Sequence, residues 1–221
     1  MSKNVLKKKL KHLVPLAVYM AVYVTWFLII DGIERPDSML IEWPIDRAIP
    51  FVEAFVIPYL SWFALLPFGI LLLLFQDEDA YDKLSTFLMI GMTAFLLIST
   101  FFPNHLDLRP EVLPRNNFFT MLIAGLWKAD SAENVWPSIH VYDSAVIVLM
   151  LLVSHARWMK KFPVRAVMVI WAFLIIIGTL FIKQHALFDH VTAWIMVGIV
   201  ALLIFKFGLV FRFDRKKADP A

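Results

Sequence analysis

The stretch KQHALFDH, residues 183–190, lies between two apolar runs at 164–182 and 191–211. Each run is close to the roughly 20 residues a helix needs to cross about 30 Å of hydrocarbon. Ionisable side chains are expensive inside a bilayer, so the stretch reads as the turn between two spans at one membrane surface. Working outward, apolar runs at 13–30, 55–75, 84–102 and 141–155 bring the total to six transmembrane helices. The fold expected is all-α and polytopic, a single membrane-embedded domain over 1–221. The run at 141–155 is short and is expected to continue on one side as a protein-packed helix.

Composition points the same way. Hydrophobic residues make up 61% of the chain and charged ones 18%, with a mean hydropathy of +0.74; a soluble domain is about 25% charged. After six spans little chain remains for a soluble domain. There are no cysteines, which excludes a disulfide framework and a thiolate metal site.

The net charge of +3 matters less than its distribution. Basic residues gather in KNVLKKKLKH (3–12), ARWMKKFPVR (156–165) and FRFDRKK (211–217). Alternating loops place all three on one side, the usual mark of the cytoplasmic face rather than of nucleic-acid binding. Only Arg35, Arg47, Arg109, Arg115, Lys128 and Lys183 fall on the other side, so both termini are expected in the cytoplasm. The basic start and long apolar segment, with no small-residue cleavage site, read as an uncleaved signal-anchor. Trp136 and Trp158 flank the fourth span as an aromatic belt would, while Trp62 lies deeper in the second.

Three segments outside the spans have their own character. IEWPIDRAIPFVEAFVIPYL (41–60) reads as an interfacial lead into the second span, and QDEDAYDK (76–83) as an acidic cytoplasmic loop. FFTMLIAGLW (118–127) is too short to span and is expected as a helix on the membrane surface.

With this topology PNHLDLRP (103–110), NVWPSIH (134–140) and KQHALFDH share the extracytoplasmic side. If the sixth helix starts near Lys183, His185 and Asp189 stack on one helical face. A carboxylate there takes the proton of one imidazole nitrogen and leaves the other with an outward lone pair, the arrangement of a histidine nucleophile. Pro137 suits the first turn of the fourth helix, with Ser138 and His140 at its outer end. Such a helix N-terminus attracts phosphate, and His140 can protonate a leaving oxygen. Arg109, extended before Pro110, offers a planar fork to two phosphate oxygens, and Lys183 adds a point charge.

The order Arg-Pro, Pro-Ser-x-His and His-x-x-x-Asp resembles the type 2 phosphatidic acid phosphatase superfamily. DSAENVWPSIHVYDS (130–144) followed by TLFIKQHALFD (179–189) looks closest to its inositol phosphorylceramide synthase-like branch, where Asp and Asn precede Pro-Ser-x-His. The resemblance covers the chain from about the second span to the sixth. It implies a metal-independent lipid phosphatase or phosphotransferase that needs no cofactor and acts on a lipid phosphate. His185 would be the nucleophile, Asp189 its orienter and His140 the acid, with Arg109, Lys183 and Ser138 holding phosphate. Asp130 and Asn134 match that branch and would order the loop before His140, in preference to binding substrate. Phe102 stands where the family's first motif has lysine, Ile139 replaces its glycine, and Gly178-Thr179 replaces Ser-Arg. The host implied by so compact a chain is a bacterial plasma membrane.

Two other readings compete. His140, His185 and Asp189 are possible zinc ligands, although no His-x-x-x-His accompanies them and His190 projects about 100° away from Asp189 around the helix. Ionisable residues can also line a transport path, but here they cluster at one surface and leave the span cores nearly free of charge. His12 and His155, on the basic side, read as solvated or headgroup-facing, and His105 as a candidate substrate contact.

Overall fold

The computed structural model describes residues 2–31, 33 and 35–212. At its centre stands α6, Ile139–Val153, whose residues from His140 to Val148 are all buried. Around it pack α3 (Trp62–Gln76), α4 (Glu78–Phe101), α7 (Phe162–Phe181) and α8 (Leu187–Phe205). The first helix, α1 (Lys3–Asp31), lies outside against α4, and a short α2 (Val56–Leu60) leads into α3. Two-residue strands, β1 (Met39–Leu40) and β2 (Asn104–His105), pair in parallel, and α5 is Phe118–Ala129.

Among the described residues, five helices are long and apolar enough to cross a membrane: α1, the Glu53–Gln76 run that ends in α3, α4, α7 and α8. The expected fourth span is α6, only 15 residues long, which makes it about 22 Å. Its sheath of four helices accounts for this: enclosed by protein, it need not match the hydrocarbon thickness, and its apolar side chains fill the core. Close approach is built into the neighbours. A Cβ at Gly91 of α4 would collide with the Tyr142 ring of α6, and one at Gly69 of α3 with Ile147.

The segment QDEDAYDK is not a loop. Asp77 is the N-cap of α4, accepting from Ala80 N at 3.1 Å, and Glu78 and Asp79 occupy the first turn, where the helix dipole favours acids. One residue thus joins α3 to α4. The basic clusters meet at this end of the bundle: Lys9 pairs with Glu78 at 2.7 Å, His155 with Asp77 at 3.3 Å and Arg212 with Asp79 at 3.2 Å. Arg215, Lys216 and Lys217 lie outside the described residues. His155 is exposed, as expected, but His12 is not: it is buried, with Nε2 2.6 Å from Asp82 Oδ1. The carboxylate on the first turns of α4 supplies the partner that draws this histidine in.

Residues 41–60 form two short 3-10 turns, Pro44–Ala48 and Glu53–Phe55, and then α2. FFTMLIAGLW does form a helix, α5, capped by Asn117, which accepts from Thr120 N at 3.0 Å. Its Ile123 is buried with Val56, Tyr59 and Ile182, so one face is docked on protein.

Candidate active site

At the end of the bundle opposite the basic clusters, the chain leaves α7 through a sharp reversal. Lys183 adopts a left-handed backbone (φ 58°), uncommon outside glycine, and His185 N and Gln184 N both donate to Thr179 O. The reversal is braced by the Lys183 side chain, whose Nζ donates to the carbonyls of Asp46 (2.9 Å) and Ile49 (2.6 Å). α8 then begins at Leu187 rather than near Lys183. Its first N–H groups are capped from two directions: Leu187 N donates to Asp46 Oδ1 at 2.8 Å, and Ala186 N to Asp189 Oδ1 at 2.7 Å. His185 therefore precedes the helix, yet Asp189, in the first turn, still reaches it.

Three predicted residues form one line. Asp189 Oδ2 lies 2.5 Å from His185 Nδ1, and His185 Nε2 lies 3.0 Å from His140 Nδ1. The carboxylate fixes the tautomer: His185 Nδ1–H donates to Asp189, which leaves Nε2 as the acceptor facing His140 Nδ1–H. All three side chains are buried. Burial, and next the positive charge of Arg109, push the His185 imidazole below its ordinary range, so it is neutral at pH 7.

His140 lies in the first turn of α6, and the starts of α6 and α8 are tied by Ser138 N donating to Asp189 O at 3.3 Å. Ser138 is the N-cap, its Oγ accepting from Val141 N at 3.3 Å, so Pro137 lies just ahead of the helix rather than in its first turn. The rings of Trp62 and Tyr59 sit 4.6 and 4.7 Å from the His140 ring. Neither is apparent from the motifs; the one sequence signal is a tryptophan set deep in a span.

Arg109 approaches from the loop after α4, stacked over Trp127 at 5.3 Å. Its Nη2 donates to Gln184 Oε1 (2.5 Å) and the carbonyls of Ser131 (2.8 Å) and Asp130 (3.0 Å), while its buried Nε has no partner among the described residues. Burial lowers the guanidinium from its usual value, opposed by Asp130. Gln184 Nε2 and Tyr59 OH in turn both donate to Asp130 Oδ2, at 2.8 and 3.0 Å. Asp130 thus orders the guanidinium through Gln184, and Asn134, with φ 54°, donates from Nδ2 to Ile30 O at 3.2 Å. His105 Nδ1 is 2.7 Å from Ser38 Oγ, a contact within the strand region.

The structure therefore brings His140, His185 and Asp189 into one hydrogen-bonded line, ties the Ser138 backbone to Asp189 and sets Arg109 within electrostatic reach. Lys183 is adjacent in sequence but its ammonium is turned to carbonyls, and burial lowers its pKa. Phe102 is exposed. Among the described residues no group of three or more His, Cys, Asp or Glu side chains is arranged for a metal ion; the two facing histidine nitrogens bond to each other. One turn below His140, fully buried Asp143 has no partner for either carboxyl oxygen among the described residues.

A cavity of about 30 Å³ adjoins the two histidines, walled by Phe27, Phe95, Ser131, Glu133 and Gln184 among others. That volume suits about one or two waters. The chain matches no protein-family model, no curated protein and no solved structure.

Proposed function

We propose that this chain is a membrane lipid phosphatase or phosphotransferase of the type 2 phosphatidic acid phosphatase kind, working through a phosphohistidine. The observation that carries the reading is the line Asp189–His185–His140, which ends at a cavity. A carboxylate-held neutral imidazole, with a second imidazole at its free nitrogen, is the pairing that nucleophilic attack with leaving-group protonation requires.

In the first step His185 Nε2 bonds to phosphorus while the bond from phosphorus to the lipid oxygen breaks. Imidazolium His140 gives its Nδ1 proton to that oxygen. Water or an alcohol then attacks phosphorus, the N–P bond breaks, and His140 takes the proton back. To enter, the phosphoryl group parts the two histidines and replaces their mutual hydrogen bond. Arg109 supplies charge from its present place; Lys183 joins only if phosphate displaces one of its two carbonyl partners. Catalysis of this kind is largely positioning and charge stabilisation.

The membrane arrangement follows from the same reading. α6 counts as the sixth crossing, α5 lies at the membrane surface, and the basic end faces the cytoplasm of a bacterial cell. The histidines then sit at the extracytoplasmic ends of the spans, where acyl tails stay in the bilayer while the headgroup reaches Arg109.

The test is inorganic phosphate release from a panel of lipid phosphates by the purified protein in detergent with excess EDTA, beside His185→Ala. Release that persists in EDTA and vanishes in the variant is expected. Release lost in EDTA, or unchanged in the variant, overturns the reading.

A further inference from the structure

The interior of the bundle holds a carboxyl group that the histidine chemistry does not use. Asp143 of α6 is fully buried, and neither of its oxygens has a hydrogen-bond partner among the described residues. Four residues earlier on the same helical face is Ile139, which lines the histidine cavity with Phe27 of α1 and Phe95 of α4. Tyr23, one turn from Phe27 on α1, is buried too, its ring 6.4 Å from those of both Phe27 and Phe95. Its hydroxyl is also unpartnered among the described residues, and it lies within electrostatic reach of Asp143. Tyr19, a further turn along α1, is in reach as well; its hydroxyl donates to Met89 O at 3.0 Å and meets Thr93 Oγ1 at 2.9 Å. The seam between α1, α4 and α6 thus collects oxygen atoms one turn below the cavity wall.

A buried carboxyl is kept either neutral or paired with a cation, and an ionisable side chain inside a span marks a site. The chemistry of this cluster selects the kind of cation. Its donors are all oxygens, which suit hard ions rather than soft transition metals. One carboxylate cancels one positive charge, so a monovalent ion leaves the core neutral where a divalent one would leave it charged. The seam also favours a small ion, because α4 and α6 approach so closely that a Cβ at Gly91 would collide with the ring of Tyr142, the residue before Asp143.

We propose that Asp143 and Tyr23 bind a sodium ion that joins α6 to α1 beneath the histidine cavity. Asp143 supplies the charge, and the Tyr23 hydroxyl, which does not bond to Asp143 directly, closes the site from α1. The ion takes no part in phosphoryl transfer, and a chelator of divalent metals leaves it in place. Its effect is to fasten α1, which otherwise lies outside against α4, and so to hold Phe27 at the cavity wall. The site stands whether or not the histidines transfer phosphate.

The experiment is thermal unfolding of the full-length protein in detergent at fixed pH, titrated with sodium chloride or potassium chloride against choline chloride at constant ionic strength. Sodium is expected to raise the Tm saturably, by about 5–10 °C at roughly a hundredfold excess over its Kd. Potassium has a much smaller effect. Asp143→Asn, which keeps the volume and removes the charge, is expected to fold and to melt at the same temperature in sodium and in choline. Tyr23→Phe is expected to keep the response but to need about tenfold more sodium, the worth of one lost polar contact to a charge. His185→Ala, outside the site, keeps the wild-type response. A wild type equally stable in sodium and choline makes Asp143 a neutral acid and overturns the site. A sodium response that survives Asp143→Asn, an unshifted titration in Tyr23→Phe, or equal responses to sodium and potassium overturns it as well. Should Asp143→Asn fail to fold, the Tyr23→Phe titration decides.

Discussion

His140 and His185 face each other across 3.0 Å, Nδ1 to Nε2, although 45 residues separate them in the chain. The contact depends on two helix starts being pinned together, α6 through Ser138 and α8 through Asp46 and Asp189. The nitrogen proposed to attack phosphorus is thereby held by the group proposed to protonate the leaving oxygen.

Asp189 sets which His185 nitrogen carries the proton. Asp189→Asn keeps the size and the bond to Ala186 N, but an amide can present its NH₂ to Nδ1 and move the lone pair to the wrong nitrogen. A fall in kcat of about 10²- to 10⁴-fold with KM little changed is expected, by analogy with histidines whose orienting carboxylate is lost. Steady-state kinetics on the preferred lipid phosphate checks this; a change confined to KM contradicts it.

Acid tolerance follows from the depressed His185 pKa. Burial and Arg109 lower it from 6.5, and a lowered pKa means the proton leaves at lower pH, so the neutral nucleophile persists below pH 6.5. The acid limb of kcat/KM therefore lies below 6.5. Arg109→Gln removes one of the two causes and moves that limb upward while reducing the rate. A pH–rate profile of both proteins reads the shift, and an unmoved limb rejects Arg109 as a cause.

Helix packing is tested at two glycines. Gly91→Ala forces a methyl into the Tyr142 ring and is expected to destabilise by about 1–3 kcal/mol, the usual cost of overpacking. Gly198→Ala, on α8, meets nothing within 4 Å and is expected to be neutral or to stabilise by up to about 1 kcal/mol. Thermal unfolding in detergent distinguishes them, and equal effects contradict the close α4–α6 approach.

The spans were legible because long apolar runs dominate their own secondary structure: the expected 164–182 is α7 at Phe162–Phe181. His140, His185 and Asp189 were legible because each lies in a short motif at a helix start. What the sequence concealed depends on distant partners. Asp46 caps α8 from 141 residues away, so the helix begins at Leu187, and no local pattern announces such a cap. Lys183 looks like a phosphate cation until its ammonium is seen on the carbonyls of Asp46 and Ile49. His12 looks solvated until Asp82 is placed beside it, and QDEDAYDK reads as a loop because its acids suit a helix's first turn as well as they suit water.

The most direct measurement is of the covalent intermediate itself. Protein quenched during turnover of a lipid carrying radiolabelled phosphate is digested, and the label is mapped. An acid-labile, alkali-stable label on His185, absent from His185→Ala and accumulating in His140→Ala with substrates whose leaving group needs no proton, is the predicted result. Steady turnover with no label on His185, or with label on another residue, would contradict the account.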